Sequence, residues 1–146
     1  MTKASMSLII SSSQAMETLG ARLARAVSTP CVIYLRGDLG AGKTTLVRGA
    51  LHEFGHQGLV KSPTFTLVES YSLVNMDVHH FDLYRLSDPE ELDYIGVGEY
   101  LYDNSICWFE WPDLGGRLVP EADVEINISY HEQGRQCEII GLDFGQ

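Results

Sequence analysis

The sequence predicts an α/β fold, a mostly parallel sheet with helices on both faces and antiparallel hairpins added to it. Three observations carry this prediction. The apolar run Cys31-Val32-Ile33-Tyr34-Leu35 leads directly into a glycine-rich loop at 37–44, and the loop opens a segment with helical periodicity. A second strongly apolar run, Ser105–Glu110, reads as another buried strand. Two further pairs of strand-like runs, 67–73 with 76–82 and 123–130 with 135–142, are joined by short turn segments and read as hairpins.

Taken in order, residues 6–10 form a short apolar run read as a strand. Ser11 to Ser13 offer helix caps, Ser11 and Gln14 standing in capping-box spacing. Met16, Leu19, Leu23 and Val27 then repeat on one helical face, and Pro30 closes the connection to the strand Cys31–Arg36. After the glycine loop, Leu46, Val47, Ala50, Leu51 and Phe54 share a face of a helix over 45–54, which Gly55 ends. A loop spans 60–66, and Asn75 marks the turn of the first hairpin. Ser87, Pro89 and Glu90 open a short helix with a capping-box pattern, ended by Gly96 and Gly98. Residues 100–103 fit neither helix nor strand. Trp111-Pro112 and Gly115-Gly116 break the chain after Glu110. Val124, Ile126 and Ile128 lie on one face of the next strand, 131–134 turns, and the last strand returns.

The length of 146 residues suits one domain, 1–146, with a single core. No apolar stretch has the length of a membrane span, and the N-terminal run is too short for a signal peptide, so a cytosolic (cytoplasmic) location is expected. Cys31, Cys107 and Cys137 are odd in number, lack C-x-x-C spacing and sit in apolar segments, which reads as buried free thiols. The net charge of −10 argues against a broad nucleic-acid surface, which needs a basic face. Residues 77–103 carry eight acids and one base, Arg85, a solvated acidic face or a docking surface for a basic partner.

The loop Gly37-Asp38-Leu39-Gly40-Ala41-Gly42-Lys43-Thr44 fits G-x-x-x-x-G-K-[ST], the phosphate-binding P-loop, in the strand–loop–helix setting that such a loop requires. Glycines let successive N–H groups turn toward phosphate oxygens, and the helix N-terminus adds roughly half a positive charge at the same place. Residues Asp38 to Thr45 would cradle the phosphates, Lys43 would meet the terminal ones as a point charge, and Thr44 would offer a hydroxyl to Mg²⁺. The fold class is therefore that of a P-loop NTPase-like sheet. A second acid for the metal is expected at the end of a neighbouring strand. Glu110 ends the run Ile106-Cys107-Trp108-Phe109, and Asp82 ends Val78-His79-His80-Phe81. Glu110 is the candidate metal ligand and Asp82 a candidate catalytic or water-orienting acid, although strand-end acids also cap turns. Thr64, in Ser62-Pro63-Thr64-Phe65, sits where a switch loop would sense the terminal phosphate, or where a Ser-Pro turn would simply start a strand. His79 and His80 are adjacent and must point to opposite faces of a strand, so packing roles are expected for both. Trp108 suits the core, whereas Trp111 either covers the nucleotide site or packs at its rim.

In unbroken order, GDLGAGKTTLVRG, SPTFTLVESY, HFDLYRL, DPEELDYIG and a strand ending FEWP closely resemble the bacterial TsaE (YjeE) family. The resemblance implies a small cytosolic ATPase that uses ATP and Mg²⁺ in making N6-threonylcarbamoyladenosine (t6A) in tRNA. It implies action with the TsaB–TsaD pair, tRNA being reached only through those partners. By motif, Gly40, Gly42, Lys43, Thr44 and Thr45 would hold phosphates, Thr44 and Glu110 magnesium, with Thr64 in the switch-like loop, Asp82 a candidate catalytic acid and Trp111 following the metal acid. The N-terminal serines and Arg135 would line the adenine side.

The main rival is a P-loop kinase of a small metabolite or nucleotide. Such enzymes usually carry several arginines on a lid, and here only Arg85 and Arg117 lie between the P-loop half and the final hairpin. A GTPase fits less well because no N-K-x-D motif is present, and a non-catalytic nucleotide-gated binding module is a third class.

Overall fold

The computed structural model describes residues 3–142. Seven strands form one sheet: β1 (Ser5–Ile10), β2 (Cys31–Arg36), β3 (Val68–Ser72), β4 (Asp77–Asp82), β5 (Ser105–Glu110), β6 (Val124–His131) and β7 (Gly134–Ile140). Helix α1 (Ser13–Ala26) joins β1 to β2, α2 (Lys43–Glu53) follows the glycine loop, and the four-residue α3 (Glu91–Tyr94) precedes a 3-10 turn at Val97–Tyr100. A second 3-10 segment, Pro112–Leu118, follows β5.

Strand order across the sheet is β1-β7-β6-β2-β5-β4-β3. The middle four strands, β6-β2-β5-β4, pair in parallel, and both margins are antiparallel. The composition follows this plan. β5 lies between two parallel partners and is buried at every residue, so it is a continuous apolar run broken only by its ends. β6 alternates, burying Val124, Ile126 and Ile128. β1, at the edge, exposes its alternate residues.

The pleat sends side chains to two separate cores. Cys31, Ile33, Leu35, Val78, Ile106 and Trp108 face α1 and α2. Val32, Tyr34, Phe81, Cys107 and Phe109 face α3 and the 3-10 segments, through Leu92, Val97 and Val119. On that second face the rings of Phe81 and Phe109 stack at 4.5 Å.

α1 and α2 cross through glycine. A Cβ on Gly49 would stand 2.1 Å from the Glu17 carbonyl oxygen, and one on Gly20 would stand 2.1 Å from that of Leu46. The two backbones thus touch directly, which seats α2 closely against α1 and fixes where its N-terminus points.

Expected and observed elements differ at their ends. α1 is capped by Ser12, whose hydroxyl accepts from the Ala15 N–H at 3.0 Å, rather than by Ser11. α2 begins two residues earlier than its periodicity suggests, at Lys43, because the loop's last glycine is itself the N-cap. β3 loses Leu67, which takes the left-handed conformation (φ 72°). The expected Ser87 box is shifted: Asp88 accepts from the Glu90 N–H, while Ser87 donates to the Glu91 carboxylate. All three cysteines are free and buried, and burial pushes the Cys31 and Cys107 thiols up to about 12 and that of Cys137 to about 11.

Candidate nucleotide-binding site

The parallel strands β2, β5 and β4 present their carboxyl ends side by side, where open α/β sheets gather ligands. From β2 comes the glycine loop. From β4 and β5 come Asp82 and Glu110, paired directly across the ladder. Counting along the pleat, Glu110 shares the face of Trp108 and Ile106, and Asp82 shares that of Val78. This is the face α2 covers, so both acids meet the loop.

In the loop, Gly40 (φ 80°) and Gly42 (φ 112°) are left-handed, a conformation other residues adopt with difficulty. Gly42 caps α2 without a side-chain hydrogen bond, so the first-turn N–H groups are left to a ligand. The loop is braced from outside. Tyr130 donates its hydroxyl to the Leu39 carbonyl at 3.0 Å, and the Arg135 guanidinium donates to the carbonyls of Ala41 (3.1 Å) and Gly40 (3.3 Å). Carbonyls held outward leave the amides free to face inward.

A cleft of about 250 Å³ is lined by Leu39, Gly40, Gly42, Lys43, Thr44 and Thr45 of the loop together with Ser62, Thr64, Asp82 and Glu110. Six of the expected loop residues, Leu39, Gly40, Gly42, Lys43, Thr44 and Thr45, thus converge with Thr64, Asp82 and Glu110 in one place. A second cleft of about 230 Å³ lies behind the loop. Ile10, Ser11 to Ser13, Met16, Gly40 to Gly42, Thr45, Gly134 and Arg135 line it, which groups the N-terminal serines with Arg135. Asp38 is exposed and lines a third hollow, of about 490 Å³, with Arg36, Trp111, Leu114 and Tyr130.

Inside the first cleft the charges are tightly arranged. Lys43 is 6% exposed, and its ammonium donates to the Gly37 carbonyl at 2.6 Å, stands 3.6 Å from Glu110 Oε1 and lies 4.4 Å above the Trp111 ring. Glu110 Oε2 accepts from His80 Nε2 at 2.5 Å. Asp82 accepts from the Tyr84 N–H at 3.0 Å and from the Thr64 hydroxyl at 3.3 Å, and Thr64 in turn meets the Ser62 hydroxyl at 2.7 Å. Burial raises the Asp82 carboxyl above its ordinary value, and the Glu110 charge adds to the rise, while the Tyr84 amide, Thr64 and Lys43 hold it down.

Trp111 has φ 56°, a left-handed conformation costly for a bulky residue, and it turns the chain sharply at the end of β5. Its ring meets that of Tyr84 at 5.0 Å. The 3-10 segment beyond it is tied down by Arg36, which pairs with Asp113 through two nitrogens at 3.1 Å and with Glu125 at 2.6 Å. Among the described residues, the non-glycine residues with positive φ are Leu67 and Trp111, and each touches a group of this cleft: Leu67 accepts from the Asp82 N–H at 2.9 Å, and Trp111 lies under the Lys43 ammonium.

The donors suit a magnesium ion. Thr44 and Glu110 bring oxygen ligands to one cleft, and Mg²⁺ keeps several waters and phosphate oxygens, so it needs no all-protein cage. Among the described residues no group of three or more His, Cys, Asp or Glu is arranged to hold a metal.

One residue has another role than sequence reasoning gave it. His79 and His80 do point to opposite faces, but His80 does more than pack: it is fully buried and bonded to Glu110. The two-residue spacing His80-Phe81-Asp82 on a strand, which puts both polar groups on the loop's side, was the available signal. Arg85 rests its guanidinium over the Phe65 ring at 4.4 Å, which holds it on the outside of the Thr64 loop.

Fold and loop together define a P-loop NTPase-like protein. A solved structure of this shape, the crystal structure of Bacillus subtilis YdiB, superposes with a TM-score of 0.77 at 23% identity, covering 98% of this chain and 88% of that one. The chain belongs to the TsaE family: the profile described as "Threonylcarbamoyl adenosine biosynthesis protein TsaE" matches residues 10–137. It is 54% identical over 109 residues to the tRNA threonylcarbamoyladenosine biosynthesis protein TsaE of Haemophilus influenzae, covering 75% of this chain and 69% of that protein. The TsaE protein of Rickettsia felis is 36% identical over 135 residues (91% and 78%), and that of Bacillus subtilis 37% over 109 (74% and 68%).

Proposed function

We propose that this chain is the ATP-binding and ATP-hydrolysing component of tRNA t6A synthesis, a magnesium-dependent ATPase that acts with the TsaB–TsaD complex in the cytoplasm. The observation that carries this reading is the convergence of the uncapped α2 N-terminus, Lys43, Thr44, Asp82 and Glu110 in one cleft at the sheet's carboxyl end. Family membership, and the t6A names of the relatives, support the pathway. Residues 1–146 are read as one ATPase domain.

In this reading the α2 amides and Lys43 bind the phosphates of ATP, and the second cleft, with Ser11 to Ser13 and Arg135, takes the adenine side. Thr44 and Glu110 hold the magnesium, which when bound neutralises charge on the phosphate oxygens. Asp82 faces the same space and orients the attacking water, with Thr64 fixing one of its oxygens. Trp111 covers Lys43 and limits water around it.

The arginines weigh against a kinase. Arg36 is held by Asp113 and Glu125, Arg135 by loop carbonyls, and Arg85 lies over Phe65. The same distribution supports slow turnover by the chain alone. An arginine at the transition state is worth ~10³–10⁵ in other P-loop enzymes, and a partner would have to bring it or order the Thr64 loop. Exposed Asp88, Glu90, Asp93, Glu99 and Asp103 on the α3 face are one docking surface for a basic partner. Contact with tRNA, for a chain of charge −10, runs through the partners.

The test is phosphate release with and without TsaB–TsaD, in single-turnover and steady-state assays, across a salt series. Slow release alone, stimulation by the pair and weakening of that stimulation with salt are expected. Fast turnover unchanged by those partners overturns the reading, and transfer of phosphate to an added metabolite would establish a kinase instead.

A further inference from the structure

His80 is fully buried on β4, and nothing in phosphate chemistry asks for it. Its Nε2 nonetheless meets Glu110 Oε2 at 2.5 Å, and its Nδ1 has no hydrogen-bond partner. The ring therefore spends its one buried polar contact on this carboxylate. We propose that His80 is a positioning residue that holds Glu110 in the rotamer needed to bind the magnesium of the bound nucleotide. The inference rests on the ATPase reading above and adds a residue to it.

The geometry gives the reason. Glu110 has two buried partners, His80 on Oε2 and Lys43 on Oε1. In the ATPase reading Lys43 turns from the Gly37 carbonyl and the Trp111 ring to the phosphates. His80 is then the protein partner that remains. With Oε2 tied to the imidazole N–H, Oε1 is left facing the cleft that Thr44 also lines. A buried carboxylate without a donor is costly and would turn away to find one. Groups behind a metal ligand that fix its orientation commonly change metal affinity ten- to a hundredfold when removed. β4 is the strand that can supply such a group, because it runs beside β5 in register and His80 lies two residues before Asp82 on the same side.

Two near-isosteric substitutions separate positioning from packing. In His80→Gln the side-chain amide reaches where Nε2 stood and can still donate to Glu110. In His80→Asn it stops short. The full chain is loaded with AMP-PNP, and Mn²⁺ affinity is measured by electron paramagnetic resonance, with metal-free AMP-PNP affinity measured by calorimetry. His80→Asn should lose about ten- to a hundredfold in Mn²⁺ affinity, keep metal-free nucleotide affinity, and be matched by Glu110→Gln. His80→Gln should recover most of the loss. Wild-type Mn²⁺ affinity in both His80 variants overturns the inference. So does a loss of metal-free nucleotide binding that parallels the metal loss, and so does a His80→Gln as weak as His80→Asn. If the wild-type chain binds no Mn²⁺·AMP-PNP, the ATPase reading itself fails, which is a different result.

Discussion

The ammonium of Lys43 lies 4.4 Å above the indole ring of Trp111 while donating to the carbonyl of Gly37. The lysine that would meet the phosphates is thus parked on groups beside the site, and its departure from the ring is a measurable event. A cation over an indole face is attracted by the ring quadrupole, by roughly 0.5–2 kcal/mol. The parked state is modestly held and easily exchanged for phosphate oxygens.

Lys43→Ala is therefore expected to lose nucleotide affinity. Phosphate charge would face only backbone dipoles. One charge-assisted contact is worth roughly 1.5–3 kcal/mol, about ten- to a hundredfold in affinity. Titration calorimetry with ATP reads this directly. Binding of ATP to the native chain should also change Trp111 emission, a change that Lys43→Ala abolishes. Unchanged affinity in the variant would exclude the loop as the phosphate site.

Glu110→Gln should impair magnesium-dependent hydrolysis more than nucleotide binding. The substitution keeps the shape of a side chain that is 3% exposed but removes its charge. Hydrolysis rate against Mg²⁺ concentration should shift to higher metal. Asp82→Asn in the same assay should lower the rate without moving the metal dependence, because Asp82 bonds Thr64 and Tyr84 rather than facing Lys43 closely. Matching wild-type curves for either variant would make that acid structural.

Gly49→Ala tests the helix crossing that sets the site. Alanine is the better helix former by about 1 kcal/mol. The new methyl, however, would stand 2.1 Å from the Glu17 carbonyl oxygen, and backbone cannot step aside as a side chain can. Overpacking costs typically about 1–3 kcal/mol, and here the obstacle is backbone, so a net loss of stability is expected. Denaturant unfolding measures it. An equal or higher midpoint would mean that α1 and α2 are less closely seated than they stand here.

Much of this arrangement was legible in the sequence because it is local. The glycine loop, the apolar run of β5 and the strand-end acids are each readable within a dozen residues, and all meet in one cleft. What escaped depends on contacts distant in the chain. Gly20 and Gly49 look like weak spots in their helices until the helices cross. Tyr130 and Arg135 hold the loop from 91 to 95 residues away. The bond from His80 to Glu110 needed the register of β4 on β5, which no pattern within either strand encodes. The segment Pro112–Leu118 escaped as well, since its Pro and Gly pair reads as a break while Arg36, far upstream, folds it through Asp113.

The other histidine of the pair is expected to make the fold sensitive to pH. His79 lies on the opposite face of β4, where Ser70 meets its Nδ1 at 2.7 Å and the Tyr102 hydroxyl its Nε2 at 2.9 Å. Tyr102 gives its own proton to Asp77 at 2.6 Å, so its oxygen accepts from the Nε2–H, and Nδ1 accepts from Ser70. The neutral imidazole satisfies every group in this chain. Burial lowers the His79 pKa below its ordinary 6.5, and the Asp77 charge opposes that only in part. A group whose folded pKa is depressed contributes stability that is present above the unfolded value and is lost as pH falls through the folded one. Asp77 is itself held below its ordinary 3.8, first by the Tyr102 hydrogen bond, so it acts in the same direction but at lower pH. The melting temperature is thus expected to fall as pH drops from 7.5 toward 5.5, roughly the window in which an ordinary histidine titrates. His79→Gln, which cannot take up the proton, should flatten that part of the profile while leaving nucleotide affinity at pH 7.5 unchanged. Thermal melts of both proteins across this range are the measurement, and the same slope in both would show that His79 does not govern it.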